Sequence, residues 1–354
     1  MSRAFFQRRT WLHLVYPQTK ASGFTLLELL VAMVIGGIIS AGLLILVVQL
    51  IQANLREAAR SDTQRDLQAA IDYIARDVRE AVYVYDGNCL LDGSAALACP
   101  GLRKYLPTSI SENSRNTPVL AFWRVDPLPQ VLKDRCQSNA DSFANPQTLP
   151  AAIQGVPCLS GRMYSLVVYS LNSEQTTGVL GRARIRRYEL PQFTTQGGTQ
   201  IPPQTTRGWI DPIRKETDFV AWPLDKSTMT TSTPVSLQDK ETQRPDGTSL
   251  VLTDFVDQIG LYDAAGNKAQ PFEIQGYQLT PKRGASASNE PPRGFYVYVK
   301  GTDDRGTLNQ EVVIRIQGDA VGRPGIAGVN LTRPVMPVSL ETRVLTRGVT
   351  SKTE

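Results

Sequence analysis

Histidine is nearly absent from this chain of 354 residues: His13 is the only one. A Ser–His–Asp triad or a Cys–His pair needs a histidine beside its nucleophile, and no residue after position 13 can supply one. The sequence also contains no P-loop and no glycine-rich dinucleotide-binding motif. These absences argue against the common hydrolases and nucleotide-dependent enzymes, and we expect neither enzymatic activity nor a cofactor.

Cysteine is scarce, with four residues at Cys89, Cys99, Cys136 and Cys158. No C-x-x-C pair and no nearby histidine accompany them, so we expect no metal site. An even number of cysteines in an exported domain favours disulfides, and four cysteines allow three connectivities. We expect the sequential pairing, Cys89–Cys99 and Cys136–Cys158, which closes two short loops.

Charge is missing from residues 29–48, a run of twenty residues dominated by Leu, Ile and Val and containing no proline. A helix of twenty residues is about 30 Å long, which is the thickness of one hydrocarbon core. Because unpaired backbone groups are not tolerated in lipid, this run must be helical. The sequence therefore predicts a transmembrane helix, which we place at residues 24–51.

Glu28 lies at the start of this apolar run, four residues after Phe24. A carboxylate in a membrane segment is costly and usually has a partner. It could reach the membrane interface near the helix end, or it could pair with a positive charge at the same depth. Cleavage after Gly23 would supply such a charge, the new α-amino group of Phe24, in the same chain or in a neighbouring copy.

The first 23 residues carry four basic side chains and no acidic one. The apolar run follows the candidate cleavage site instead of preceding it, unlike a secretory signal peptide. The basic residues predict a cytoplasmic N-terminus and a chain that is otherwise exported. Removal of this leader would lower the Lys and Arg total from 38 to 34, against 33 Asp and Glu, so we expect no nucleic-acid partner.

Residues 23–28 (GFTLLE) and the apolar run after them resemble the class III signal peptide of type IV prepilins and pseudopilins. The resemblance implies cleavage after Gly23 by a prepilin peptidase, N-methylation of Phe24, and an assembly salt bridge from Glu28 to the amine of an adjacent subunit. Its implied partners are other pilins, contacted through the N-terminal helix, and an inner-membrane assembly platform. The implied location is the inner membrane, then a pilus-like filament in the periplasm or at the cell surface.

The helix is expected to continue beyond the membrane. Apolar residues recur at three- and four-residue spacing from Leu67 to Ala81, and neither Pro nor Gly occurs between Leu43 and Asp86. We therefore divide the chain into a leader (1–23), a transmembrane assembly helix (24–51), an amphipathic continuation (52–82) and an exported β-rich domain (83–354). The predicted fold is α+β, with the long helix packed on an antiparallel sheet, as in pilins.

Short β-rich runs between Pro- and Gly-containing segments predict seven strands. They are 119–125, 163–171, 183–190, 250–256, 294–300, 311–317 and 340–346. The runs 294–300 and 311–317 predict a hairpin with its turn at 303–306.

Two sets of charged residues on these runs could either bind a ligand or simply face solvent. Asp254 and Asp257 could bind calcium, but no EF-hand spacing is present and a solvated strand face is favoured. Arg182, Arg184 and Arg186 share one face of a strand by alternation and could meet an acidic polysaccharide or subunit, although a solvated outer face is again favoured.

Further segments resemble particular pilin families. Residues 250–259 (LVLTDFVDQI) and 340–348 (LETRVLTRG) resemble strands of W-type minor pilins and J-type pseudopilins. Residues 79–87 (REAVYVYDG), 99–102 (CPGL) and 118–123 (PVLAFW) resemble the cyanobacterial hormogonium polysaccharide secretion pseudopilin C family.

These resemblances imply a structural subunit of a type IV pilus-like machine that supports polysaccharide secretion and gliding motility. Polysaccharide is among the partners that this role would imply. The exported domain, called the head domain below, is bulky, and the helix lacks the proline that major pilins commonly carry. Both features suit a tip or initiating subunit. The alternatives are a pseudopilin of a type II protein secretion system and a membrane-anchored glycan-binding protein.

Overall fold

The structure is a computed structural model. It describes residues 23–91, 99–107, 110, 116–144, 149–173, 182–229, 234–238, 245, 247–258, 260, 271–281, 294–300, 310–320, 322–323 and 337–347. The chain divides into two compact units, with the boundary between Asn54 and Leu55.

The first element, α1, is a helix of 54 residues, Leu26–Arg79. Thr25 caps its start, because the Thr25 hydroxyl accepts the Glu28 N–H at 3.3 Å. The carbonyl of Arg79 in its last turn accepts the Arg347 N–H at 3.2 Å. The long helix is therefore confirmed, although it ends three residues before the predicted position 82.

The predicted helical end is wrong because Ala81–Val84 form the first strand, β1. All four residues are buried and β1 pairs antiparallel with β2 (Asn116–Pro127), with Val84 opposite Phe122. The run Val82, Tyr83 and Val84 consists of residues that favour strands. Pairing with β2 therefore prevails over the helical spacing that ends at Ala81.

The other strands all pair antiparallel. They are β3 (Arg162–Asn172), β4 (Arg182–Pro191), β5 (Thr248–Asp257), β6 (Gln278–Thr280), β7 (Phe295–Lys300), β8 (Glu311–Gly318) and β9 (Val338–Leu345). Short α-helices are α2 (Gly87–Leu91), α3 (Gln130–Ser138) and α4 (Thr195–Thr199). Single 3₁₀ turns occupy Leu102–Tyr105, Ala140–Ala144, Ala151–Ile153 and Lys226–Thr228.

The sheet has the order β1-β2-β3-β4-β5-β8-β7-β6, and β9 pairs with β8. β5 and β8 are paired at one position only, Val256 with Gly318. This pair is the narrow point of the sheet, where the five strands β1–β5 join the four strands β6–β9. The antiparallel sheet and all seven predicted strands are confirmed; β1 and β6 were not predicted. In the predicted hairpin Lys300 lies opposite Glu311, while its turn at 303–306 lies outside the described residues.

The second half of α1 buries its apolar stripe on this sheet, as predicted. Leu67, Ile71, Ile74 and Val78 are buried in a core that also contains residues of β2, β3, β4, β7 and β8. Each such side chain contributes about 1.5–3 kcal/mol relative to an exposed one. At Gly318, a Cβ would collide with Leu67, so glycine at the narrow point lets the helix approach the sheet closely.

The opposite face of the sheet carries a second core rich in aromatic residues. Trp123 and Trp222 are fully buried there, with ring centroids 5.2 Å apart in an edge-to-face arrangement. The Trp123 indole N–H donates to the Tyr85 hydroxyl at 3.0 Å, and that hydroxyl donates to the Phe219 carbonyl at 2.7 Å. Buried aromatic groups are thus hydrogen-bonded as well as packed.

Two disulfides join Cys89 to Cys99 and Cys136 to Cys158, which is the sequential pairing that the sequence favours. Their Cα atoms are 5.3 Å and 5.4 Å apart, within the usual range. The first links α2 to the segment before the 3₁₀ turn Leu102–Tyr105, and the second links α3 to the turn that leads into β3. Both therefore fix loops that cover the sheet.

Candidate functional site

The predicted processing segment, Gly23 to Thr25, lies just before the start of α1 and has no regular secondary structure. The Phe24 side chain is 80 % exposed. A Cβ placed on Gly23 would have no heavy atom within 4 Å, and its backbone does not adopt the left-handed region. The fold itself therefore does not require glycine at position 23, and any requirement for it must come from something that acts on the chain.

Glu28 is exposed in the first turn of α1, and its backbone N–H is satisfied by the hydroxyl and carbonyl of Thr25. The spacing Thr25-x-x-Glu28 fits a capping box, in which the Glu side chain would accept the N–H of the Thr. Among the described residues, however, the Glu28 carboxylate has no hydrogen-bond or salt-bridge partner. The capping role of Thr25 was not predicted, although the T-x-x-E spacing signals it.

The helix is exposed from Leu26 through Ala58, and its side chains up to Ile51 are mostly large and apolar. It is long and apolar enough to cross a membrane. Ala32, Gly36 and Ser40 recur every four residues, and a Cβ on Gly36 would meet no atom within 4 Å. Such a row of small residues allows another helix to approach closely.

A group of charged and polar side chains surrounds Asp77, in the last turns of α1. Asp77 is buried, and Tyr169 of β3 donates its hydroxyl to Asp77 Oδ2 at 2.6 Å. Arg187 Nε of β4 donates to the same oxygen at 2.8 Å, and Arg124 of β2 pairs with Oδ1. Three strands are thus joined to one carboxylate of the helix.

Two further carboxylates complete this buried network. Arg124 also pairs with Asp126, at 2.7 Å from Nε to Oδ1, and with Glu189 at 3.2 Å. Burial would raise the pKa of Asp77, but hydrogen bonds from Arg187 and Tyr169 and the charges of Arg187 and Arg124 outweigh it, so the pKa lies below its ordinary value. Asp77 therefore stays ionised inside the domain.

The expectation of solvated charges on β4 and β5 is only partly right. Asp257 is fully buried, where Oδ2 accepts the Gly260 N–H at 3.0 Å and the Gln317 amide at 3.2 Å. Asp254 pairs with Arg184, and both are partly exposed. No group of three or more His, Cys, Asp or Glu that could hold a metal ion occurs among the described residues.

In a comparison with protein families, the model for the prokaryotic N-terminal methylation motif matches residues 18–44. No curated protein and no solved structure matches the chain. The matched residues contain Gly23, Phe24 and Glu28 and the first part of the exposed apolar helix. The motif, together with this helix and the antiparallel sheet domain, supports a type IV pilin-like protein anchored in a membrane. The pilins that carry this motif are structural rather than enzymatic proteins.

Proposed function

We propose that this chain is a minor pilin or pseudopilin, a structural subunit of a type IV pilus-like filament. The observation that carries this proposal is the methylation motif at residues 18–44, placed on a helix whose apolar side chains are exposed. An apolar helix of this length needs lipid or other apolar helices around it. A pilin-like subunit uses both, first the membrane and then the packed helices of a filament.

Processing is the first step of the proposed function. A prepilin peptidase cuts after Gly23, and the new amine of Phe24 is methylated. The exposed, non-helical segment from Gly23 to Thr25 is open to a peptidase, and glycine there serves no purpose within the fold. The cut removes the basic leader and leaves the apolar helix at the N-terminus of the mature chain.

Assembly is the second step, and Glu28 directs it. Its carboxylate pairs with the Phe24 amine of an adjacent subunit, within the apolar surroundings of the packed helices. Glu28 is available for such a pair, because its side chain has no partner among the described residues of its own chain. Removal of one partner from a desolvated ion pair costs about 3–5 kcal/mol, which is enough to decide assembly.

The narrower role is that of a tip or initiating subunit in a machine for polysaccharide secretion and gliding motility. It is supported by the resemblance of residues 79–87, 99–102 and 118–123 to pseudopilins of that machine. A large head also suits a tip, because bulky heads are hard to repeat along a closely packed shaft. In this role the N-terminus begins in the cytoplasm and the disulfide-bonded domain is exported.

The test compares Glu28→Gln with Glu57→Gln, a matched change at an exposed carboxylate further along the same helix. Each variant replaces the wild-type chain in cells, and its processing, membrane retention and presence in sheared filaments are measured. We expect both to be processed and retained, and only Glu28→Gln to be missing from filaments. If the processed Glu28→Gln variant is incorporated into filaments as the wild type is, Glu28 is only a carboxylate at the membrane interface and the assembly step is refuted.

A further inference from the structure

A cleft of about 370 Å³ opens on the head domain, and none of its lining residues belongs to α1. Its base is formed by Val125 near the end of β2 and by Met163 and Tyr164 at the start of β3. The turn at residues 155–160 forms one wall, and Gln192 with residues 211–213 forms the other. The volume lies in the range of small-molecule sites, and none of these residues takes part in the proposed processing or assembly.

The turn that forms the first wall is held in place by covalent and hydrogen bonds. Cys158 is linked to Cys136 of α3, and the Cys158 N–H donates to the Val156 carbonyl at 2.8 Å. The Gly161 N–H donates to the Pro157 carbonyl at 3.0 Å. Gly161 has a φ of 62°, a conformation that favours glycine, so the tight turn depends on it. This wall is therefore preformed.

The opposite wall is attached to the base through one carbonyl group. The Tyr164 carbonyl accepts the Gln192 N–H at 3.2 Å and the Trp209 indole N–H at 3.1 Å. Trp209 lies two residues before Asp211, so these bonds fix the position of the segment that carries Asp211. The Tyr164 ring packs edge-to-face on Phe219, with centroids 5.5 Å apart. The base and both walls are thus joined by hydrogen bonds and a ring contact within the chain.

The cleft holds one acidic and one basic side chain on a largely apolar base. Asp211 is partly buried; its Oδ1 accepts the Ile213 N–H at 3.1 Å, and burial raises its pKa although that bond and the Arg214 charge oppose the shift. Arg162 is exposed at the rim. Among the described residues, neither Arg162 nor Asp211 forms a salt bridge. The cleft therefore offers unused acceptors and donors with no net charge.

We propose that this cleft binds a neutral saccharide unit. A sugar ring presents hydroxyl donors to the Asp211 carboxylate and hydroxyl acceptors to the Arg162 guanidinium, while its C–H surface covers Val125 and the turn at 155–160. Charge-assisted hydrogen bonds of this kind are the stronger ones. A ligand with a single charge would match only one of the two groups and would leave the like-charged one opposed to it. The proposal does not depend on filament assembly, because the cleft is built within the head domain alone.

The test titrates methyl glycosides of glucose, galactose and N-acetylglucosamine into the full chain in lipid nanodiscs. Detergents with sugar head groups are avoided because they would compete. Binding is followed by saturation-transfer NMR and by tryptophan fluorescence, since Trp209 is bonded to the base of the cleft. We expect saturable binding of at least one glycoside with a Kd of about 1 mM or below.

Two variants locate the site, and a third serves as a control. Asp211→Asn can still accept the Ile213 N–H and should weaken binding about tenfold or more, because it removes a charge-assisted acceptor. Arg162→Gln, at an exposed position, should weaken binding without an effect on folding. Asp134→Asn, an exposed carboxylate on α3 that accepts the Gln130 amide at 2.7 Å outside the cleft, should bind as the wild type does.

Three results would overturn the proposal. The first is that binding of none of the glycosides saturates. The second is that Asp211→Asn and Arg162→Gln both bind the glycosides as tightly as the wild type does. The third is that acetate or ethylammonium binds in place of the glycosides, which would indicate a site for a charged ligand. In each case the filament function would stand, because Glu28→Gln tests it separately.

Discussion

The hydroxyl of Tyr169 donates a 2.6 Å hydrogen bond to Asp77, and so joins the centre of β3 to the last turns of α1. Arg124 and Arg187 hold the same carboxylate from the strands on either side of β3. A carboxylate bound from three strands can be satisfied at only one position along the sheet. We therefore expect the network, together with the close approach of Leu67 to Gly318, to fix the register of the helix on the sheet.

Replacement of Asp77 by Asn should destabilise the head strongly. The change removes the charged acceptor of Tyr169 and leaves Glu189 as the one carboxylate that Arg124 and Arg187 share among the described residues. We expect a loss of about 2 kcal/mol in the free energy of unfolding, the range for hydrogen bonds to a charged group. Asp72→Asn is the matched control: Asp72 is exposed on the same helix, where it accepts the Gln68 amide, and the change should alter stability by less than about 0.5 kcal/mol. Denaturant unfolding of the full chain in nanodiscs, followed by tryptophan fluorescence, measures both. Equal effects of the two changes would contradict the special role of Asp77.

The same carboxylate should make stability depend on pH in the acidic range. The pKa of Asp77 is lower in the folded state than its ordinary value of 3.8, so ionisation of Asp77 favours folding. Its contribution is complete above the unfolded-state pKa and is lost as the pH falls through the lower, folded-state pKa. The stability difference between the wild type and Asp77→Asn should therefore be constant near neutral pH and shrink below about pH 4. A difference that grows on acidification would show that the sign is wrong.

The sequence predicts the elements of this fold better than it predicts their charged contacts. β-rich runs between turn residues mark seven strands, although β2, β3 and β7 are buried on both faces, whereas the residues of β1 also fit a helical stripe. Arg187 follows directly after the arginines for which a solvated face is expected, yet alternation places it on the other face, beside Asp77. Such pairs join residues far apart in the chain, so no local pattern indicates them. The cleft with Asp211 was not predicted for the same reason, since its walls come from separate segments.

The expected processing site differs from the buried network in this respect. Gly23, Phe24 and Glu28 can be recognised from six adjacent residues, because the motif is a short local sequence. The structure adds that these residues are exposed and that no described residue of the chain engages the Glu28 side chain.

Removal of the two disulfides should have unequal effects. Cys89 and Cys99 are 10 residues apart, and Cys136 and Cys158 are 22 apart. In the chain-entropy account the larger loop contributes about 0.7 kcal/mol more, on a total of about 3 kcal/mol. The pair of changes Cys136→Ser and Cys158→Ser should therefore lower stability more than Cys89→Ser with Cys99→Ser, as measured by denaturant unfolding. The reverse order would mean that packing around α2, and not loop length, determines the contribution.

The last prediction concerns Gly23, where the demands of folding and of processing can be separated. Because a Cβ at position 23 meets no atom within 4 Å, Gly23→Ala and Gly23→Trp should leave the stability of the head unchanged. If a peptidase selects glycine at this position, Gly23→Ala should slow cleavage and Gly23→Trp should block it, while Gly36→Ala, also free of steric contact, should be cut as the wild type is. Mass spectrometry of the membrane-bound chain should find wild type and Gly36→Ala beginning at a methylated Phe24, and Gly23→Trp retaining its leader. Normal cleavage of Gly23→Trp, or a wild-type chain that keeps its first 23 residues, would refute processing at this site, whatever the stability of the variants.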